Sequence, residues 1–183
     1  LKDSRFTSEP FVRRAINAAV RVGGNTELDN LIGFAKRTNT DKELRAEALS
    51  ALGTWASPSV MDRVDGYYRG VITRNPEVVK SKVKSIVPDL LTDNDPAIQI
   101  ATAQMLSTLA LPEYNENLVR ILDNSPNAKV RTAMIAALND LKYNNMEPIM
   151  KKGMVDPDAD VRTAALGMIG SVNMSGQALA DIS

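Results

Sequence analysis

The stretch NSPNAKVRTAMIAAL, residues 124–138, decides the fold. From Val130 its apolar residues Val130, Ala133, Met134, Ala137 and Leu138, with Leu141 beyond, fall at three- and four-residue steps. That is the stripe of an amphipathic helix. The stretch is also one copy of a repeat. Val12-Arg13-Arg14-Ala15-Ile16, Leu44-Arg45-Ala46-Glu47-Ala48, Ile98-Gln99-Ile100-Ala101-Thr102, Val130-Arg131-Thr132-Ala133-Met134 and Val161-Arg162-Thr163-Ala164-Ala165 align without gaps. The interval between starts is nearly constant, except from Leu44 to Ile98, where it is well over half as long again. Five positions before each start stand Thr7, Asn39, Asp93, Ser125 and Asp156, all side chains able to cap a helix N-terminus. Pro126 and Pro157 follow two of them, where a first helical turn tolerates proline, and Thr40 with Glu43 fits a capping box one residue later.

A second helix is expected after each first one, around residues 28–35, 118–122 and 149–155. Gly23-Gly24-Asn25, Pro112 and Asn144-Asn145 serve as the separating turns. One helix pair per interval cannot bury its apolar faces alone, and stacking makes the core continuous. The fold class is therefore all-α, a solenoid of about five helix pairs in a single domain spanning 1–183.

Four segments carry a family resemblance: TDKELRAEALSALG (40–53), DNDPAIQIATAQML (93–106), NSPNAKVRTAMIAAL (124–138) and DPDADVRTAALGMIG (156–170). They resemble the HEAT repeats, in particular their short bacterial variant. The resemblance implies a ladder between repeats, built by the arginine and an acidic residue six positions before it. Asp156 with Arg162 matches that pattern, and Asp93 stands before Gln99. Arg45 and Arg131 keep only the arginine, behind Asn39 and Ser125. Arg13, Arg45, Arg131 and Arg162 are thus read as structural rather than as a phosphate-binding stripe.

Composition narrows the chemistry. The chain has neither Cys nor His, which removes disulfides, thiol nucleophiles, histidine bases and the usual zinc ligands. DPDAD (156–160) opens like a calcium loop but has Val161 and Gly167 where the loop needs Gly and Glu, so no metal or other cofactor is expected. Lys80, Lys82 and Lys84 read as the solvated face of a helix, and Met105, Met134, Met150 and Met168 as core filling. Net charge is zero over the whole chain, +4 in residues 1–92 and −4 in 93–183. No apolar run is long enough to span a membrane. The start at Leu1 and the ending GQALADIS, which reads as a helix cut short, lead to the expectation that the chain is part of a longer polypeptide.

The long interval from Leu44 to Ile98 holds an interruption, placed at about residues 57–75. Pro88 is expected to kink the helix that follows it, around residues 79–91. Three of the chain's eight aromatics, Trp55, Tyr67 and Tyr68, gather here, interleaved with Asp62, Arg63, Asp65, Arg69 and Arg74. Tyrosine and arginine are enriched at binding hot spots, and insertions in repeat arrays gather on one face. Trp55, Asp62, Arg63, Tyr67, Tyr68, Arg69 and Arg74 are therefore the candidate partner-binding residues. The alternative is a plug for irregular stacking, anchored by Val60, Met61, Val64 and Val71. LSALGTWASPSVMDRVDGYYRG (49–70) also resembles the HEAT-like region of large secreted bacterial proteins that join a β-propeller, helical repeats and a cytochrome c module. That likeness implies a non-catalytic part of an oxidoreductase-like parent, periplasmic or secreted; the haem motif CxxCH is absent.

The expected function is a scaffold that binds a protein or a neighbouring domain of its own chain, through the inner row of second helices and the interruption. Two other readings compete. Nucleic-acid binding, as in HEAT-like DNA-alkylation repeat proteins, needs a basic face, and the zero net charge and acidic second half argue against it. A lyase-like enzyme, as in HEAT-like proteins that attach bilins, would have to rely on Asp62, Asp65 and the tyrosines.

Overall fold

The computed structural model describes residues 1–2 and 7–168; the ending GQALADIS lies outside them. The described residues are all-α, with the repeats stacked as helix pairs. In chain order the helices are α1 (Glu9–Val22), α2 (Asn25–Ala35), α3 (Lys42–Gly53), α4 (Pro76–Val83), α5 (Val87–Leu91), α6 (Pro96–Leu109), α7 (Asn115–Asn124), α8 (Ala128–Asp140), α9 (Met146–Met154) and α10 (Ala159–Leu166). Contacts divide the chain into two compact units, residues 1–109 and 110–183. In the first, α1 packs on α2 and α3, and α3 on α2 and α6. In the second, α8 packs on α7 and α10, and α10 on α9. The helices that carry the Val-Arg motif thus neighbour one another within each unit.

The apolar stripes are buried as their periodicity requires. Val12, Ile16, Ala19 and Val20 of α1, Leu44, Ala48, Leu49 and Leu52 of α3, and Ile98, Met105 and Leu106 of α6 form one core. Val130, Met134, Ala137, Leu138, Met150, Val161 and Ala165 belong to the other. Met105, Met134, Met150 and Met168 are all buried. Gly153 lets α9 approach α10 closely, since a Cβ there would lie 2.8 Å from the Ala165 Cβ.

Two expectations need correction. The caps are Ser8, Asp41, Asn127 and Asp158 rather than Thr7, Asn39, Ser125 and Asp156. Asp93, Ser125 and Asp156 instead accept the N–H of the residue two places on, forming a turn just before the helix. The true cap then takes the first-turn N–H groups, as Asp158 takes those of Asp160 and Val161. Pro126 and Pro157 therefore stand in the lead-in turn, and Asp41 replaces the Thr40 capping box. The second correction concerns Pro88. The helix is broken rather than kinked, ending at Val83 and restarting at Val87. Proline has no N–H, and its ring collides with the carbonyl four residues earlier.

Charge follows the units less sharply than it follows sequence. Asp93 and Asp95 fold with the first unit, which holds 15 basic and 13 acidic residues against 7 and 9 in the second.

Candidate interaction surface at the interruption

Between α3 and α4 no residue is helical. The chain turns back on itself with Met61 opposite Tyr68 in an antiparallel bridge. The Asp62 N–H donates to the Tyr67 carbonyl at 2.8 Å, and the Arg69 N–H to Val60 at 2.8 Å. Asp65-Gly66 makes the turn, with Gly66 at φ +73°. The Asp65 carboxylate accepts from the Tyr67 N–H and from Arg69.

The loop is held at both feet by polar bonds. At the first, Asp62 is only 8% exposed. Its carboxylate accepts from Asn17 Nδ2 at 2.9 Å and from the N–H groups of Val64 and Asp65. The side chains of Arg21 and Arg69 stand 3.9 and 3.6 Å away. The Asn17 bond, followed by the Val64 N–H, lowers the Asp62 pKa to about 2, against the opposing effect of desolvation. Arg21 also donates to the carbonyls of Ser59 and Met61. At the second foot, the Arg74 guanidinium donates to the Trp55 carbonyl at 2.6 Å and to those of Val20 and Arg21 at 2.6 and 3.2 Å. It lies 4.9 Å from the centroid of the Trp55 ring. Val20 and Arg21 end α1, so Arg74 fills the acceptors that a helix C-terminus leaves open. Burial, then the neighbouring Arg21, pulls the Arg74 pKa down.

The candidate residues therefore separate into two groups. Trp55, 2% exposed, Asp62 and Arg74 face the helices. Tyr67 and Tyr68 are 69% and 67% exposed, with Arg69 stacked 5.9 Å from the Tyr67 ring centre. Arg63 is exposed and donates to Thr54 Oγ1. The proposed apolar anchors do not anchor: Met61, Val64 and Val71 are exposed, and only Val60 is half-buried. Ion pairs and carbonyl bonds do that work because the loop lies on the ends and polar edge of α1 rather than on its apolar stripe. Asn17 and Arg21 hold the loop and were not among the residues the sequence singled out. A signal was present, since Arg13, Asn17 and Arg21 recur at four-residue steps and form a polar line on one side of α1. Arg13 bonds Glu9 and Glu47, and the other two receive the loop.

Elsewhere two arginines of the row, Arg45 and Arg131, make rungs between repeats in a shifted register. Arg131 binds Asp156 of the following repeat through two bonds of 2.7 and 2.8 Å and also reaches the carbonyls of Ser125 and Pro126. This bond raises the Arg131 pKa and lowers that of Asp156. Buried Arg45 likewise binds Asp93 at 2.6 Å and the Ala35 carbonyl. Arg162 meets the Asp156 and Pro157 carbonyls, and Gln99 the Asp93 carbonyl. The carboxylate thus serves the preceding repeat's arginine, and its own repeat's side chain takes the backbone. Among the described residues no group of three or more acidic side chains is placed to hold a metal ion, and no helix is long and apolar enough to cross a membrane.

Among known protein families, the model described as HEAT repeats matches residues 28–139. No curated protein matches the chain.

Proposed function

The chain belongs to the HEAT-repeat family, and we propose that it acts as a non-catalytic scaffold that binds a protein or a neighbouring domain through the loop interrupting its repeats. Residues 1–183 form one repeat domain in this proposal. Its place is the periplasm or the exterior, as a non-catalytic part of an oxidoreductase-like parent. HEAT repeats typically serve as protein-interaction scaffolds. One observation carries the assignment to the loop: Tyr67, Tyr68 and Val71 are exposed on a segment whose two feet are held by half-buried polar bonds. Aromatic groups held in place before binding lose little conformational entropy when a partner covers them.

The test compares wild type with Tyr67→Ala/Tyr68→Ala by pull-down from native-source extract, alongside thermal melts of both. A partner lost at unchanged melting temperature supports the proposal. An unchanged set of partners at unchanged melting temperature refutes it, and a sharply lowered melting temperature makes the loop a plug.

A further inference from the structure

Beside the loop runs an open groove of about 720 Å³, lined among others by Pro10, Arg13, Arg14, Glu47, Arg63 and Val64. It lies within the first unit, between α1, α3 and the turn of the loop. Its charges are not balanced locally. Both carboxylates, Glu9 and Glu47, are held by a single guanidinium, that of Arg13. The Arg14 side chain is exposed and makes no hydrogen bond or ion pair among the described residues. Arg63, on the loop, uses its guanidinium only toward Thr54 Oγ1 among them. Two under-used guanidinium groups therefore border a groove whose apolar lining is Pro10, Ala46 and the exposed Val64.

We propose that this groove receives an acidic segment of a partner polypeptide, with carboxylates on Arg14 and Arg63 and an apolar side chain against Val64 and Pro10. The inference rests on the scaffold reading, and it adds the chemistry of the partner. Guanidinium presents a planar fork that matches a carboxylate, so two such forks select Asp or Glu over neutral side chains. The apolar lining favours a polypeptide over a bare polyanion, because a nucleic-acid backbone offers nothing to Val64 and Pro10. Arg63 and Val64 belong to the same turn as Tyr67 and Tyr68, so one partner chain can meet the groove and the tyrosines together.

The probe is a terminally blocked peptide alternating Glu and Leu, followed by fluorescence anisotropy. Its counterparts are a Lys-Leu peptide and a single-stranded oligonucleotide of equal length. The Glu-Leu peptide is expected to bind wild type and the Lys-Leu peptide not to bind. Added salt weakens the complex, and Arg14→Glu/Arg63→Glu weakens it by about tenfold or more. Arg14→Gln/Arg63→Gln, which removes the charges without reversing them, has an intermediate effect. The assignment is overturned if the Glu-Leu peptide fails to bind wild type, if it binds the Glu variant equally, or if the oligonucleotide binds more tightly through the same arginines. Tyr67→Ala/Tyr68→Ala is measured in parallel against the native partner. A partner that depends on the tyrosines but not on Arg14 and Arg63 refutes the groove and leaves the scaffold reading standing.

Discussion

The attachment of the loop predicts an unusual coupling between Gly23 and Arg74. Gly23 follows α1 at φ +71°, and a Cβ added there would collide with the Arg74 guanidinium. Alanine in the left-handed region costs about 1–2 kcal/mol by itself. In the wild-type background it also displaces the guanidinium, the flexible end of a long side chain, from the carbonyls of Val20, Arg21 and Trp55. Charge-assisted bonds contribute about 1.5–3 kcal/mol, and water replaces part of that at a half-buried site. Arg74→Ala alone is therefore expected to cost about 2–3 kcal/mol, and Gly23→Ala alone about 3–5 kcal/mol. In the Arg74→Ala background, Gly23→Ala should cost only about 1–2 kcal/mol. The double variant should then be about as stable as Gly23→Ala. Urea unfolding followed by the fluorescence of Trp55, the sole tryptophan and the ring under Arg74, measures all four corners of the cycle. Strict additivity would refute the reasoning, because it would mean that the two residues do not share one space.

The other predictions concern the carboxylates and the close helix contact. The Asp62 pKa is lowered from 3.8 to about 2. Its contribution to stability is therefore complete above its unfolded pKa and is lost as pH falls through the folded value. Melting temperature should fall more steeply between about pH 4 and pH 2 in wild type than in Asp62→Asn; equal slopes would remove Asp62 from the attachment. Asp93→Asn leaves the buried Arg45 guanidinium without its carboxylate and is expected to cost about 3 kcal/mol by urea unfolding, whereas Arg45→Met/Asp93→Leu should recover most of that loss. A cost within error of zero would show that the rung is not holding the repeats together. Gly153→Ala brings a methyl within 2.8 Å of the Ala165 Cβ and should destabilise by about 1–3 kcal/mol, partly reversed by Ala165→Gly; a neutral result would mean that α9 and α10 yield freely.

Much of the fold was legible because it rests on local rules. Helical spacing in Val130, Met134, Ala137 and Leu138 already separates core from surface, and recurrence of the Val-Arg motif at a near-constant interval already demands stacking. The sequence offered the arginine row as structural, but not which carboxylate Arg45 or Arg131 binds. The expected pair was Asp156 with Arg162, six positions along, whereas the bond forms between Asp156 and Arg131, in the repeat before. The distance along the chain cannot reveal which of two stacked repeats offers the nearer carboxylate.

By itself the sequence determined an all-α repeat, the position of its interruption, and the residue types concentrated there. Only the tertiary structure decided which of those residues face inward. Trp55 and Tyr67 are both large aromatics near arginines, yet Trp55 is enclosed beneath Arg74 and Tyr67 is exposed beside Arg69. The difference comes from Val20 and Arg21, whose carbonyls at the end of α1 draw Arg74 inward. Asn17 does the same for Asp62. Open acceptors at a helix end and one amide on its polar edge are properties of a neighbouring element, and they take effect only once folding brings that element against the loop.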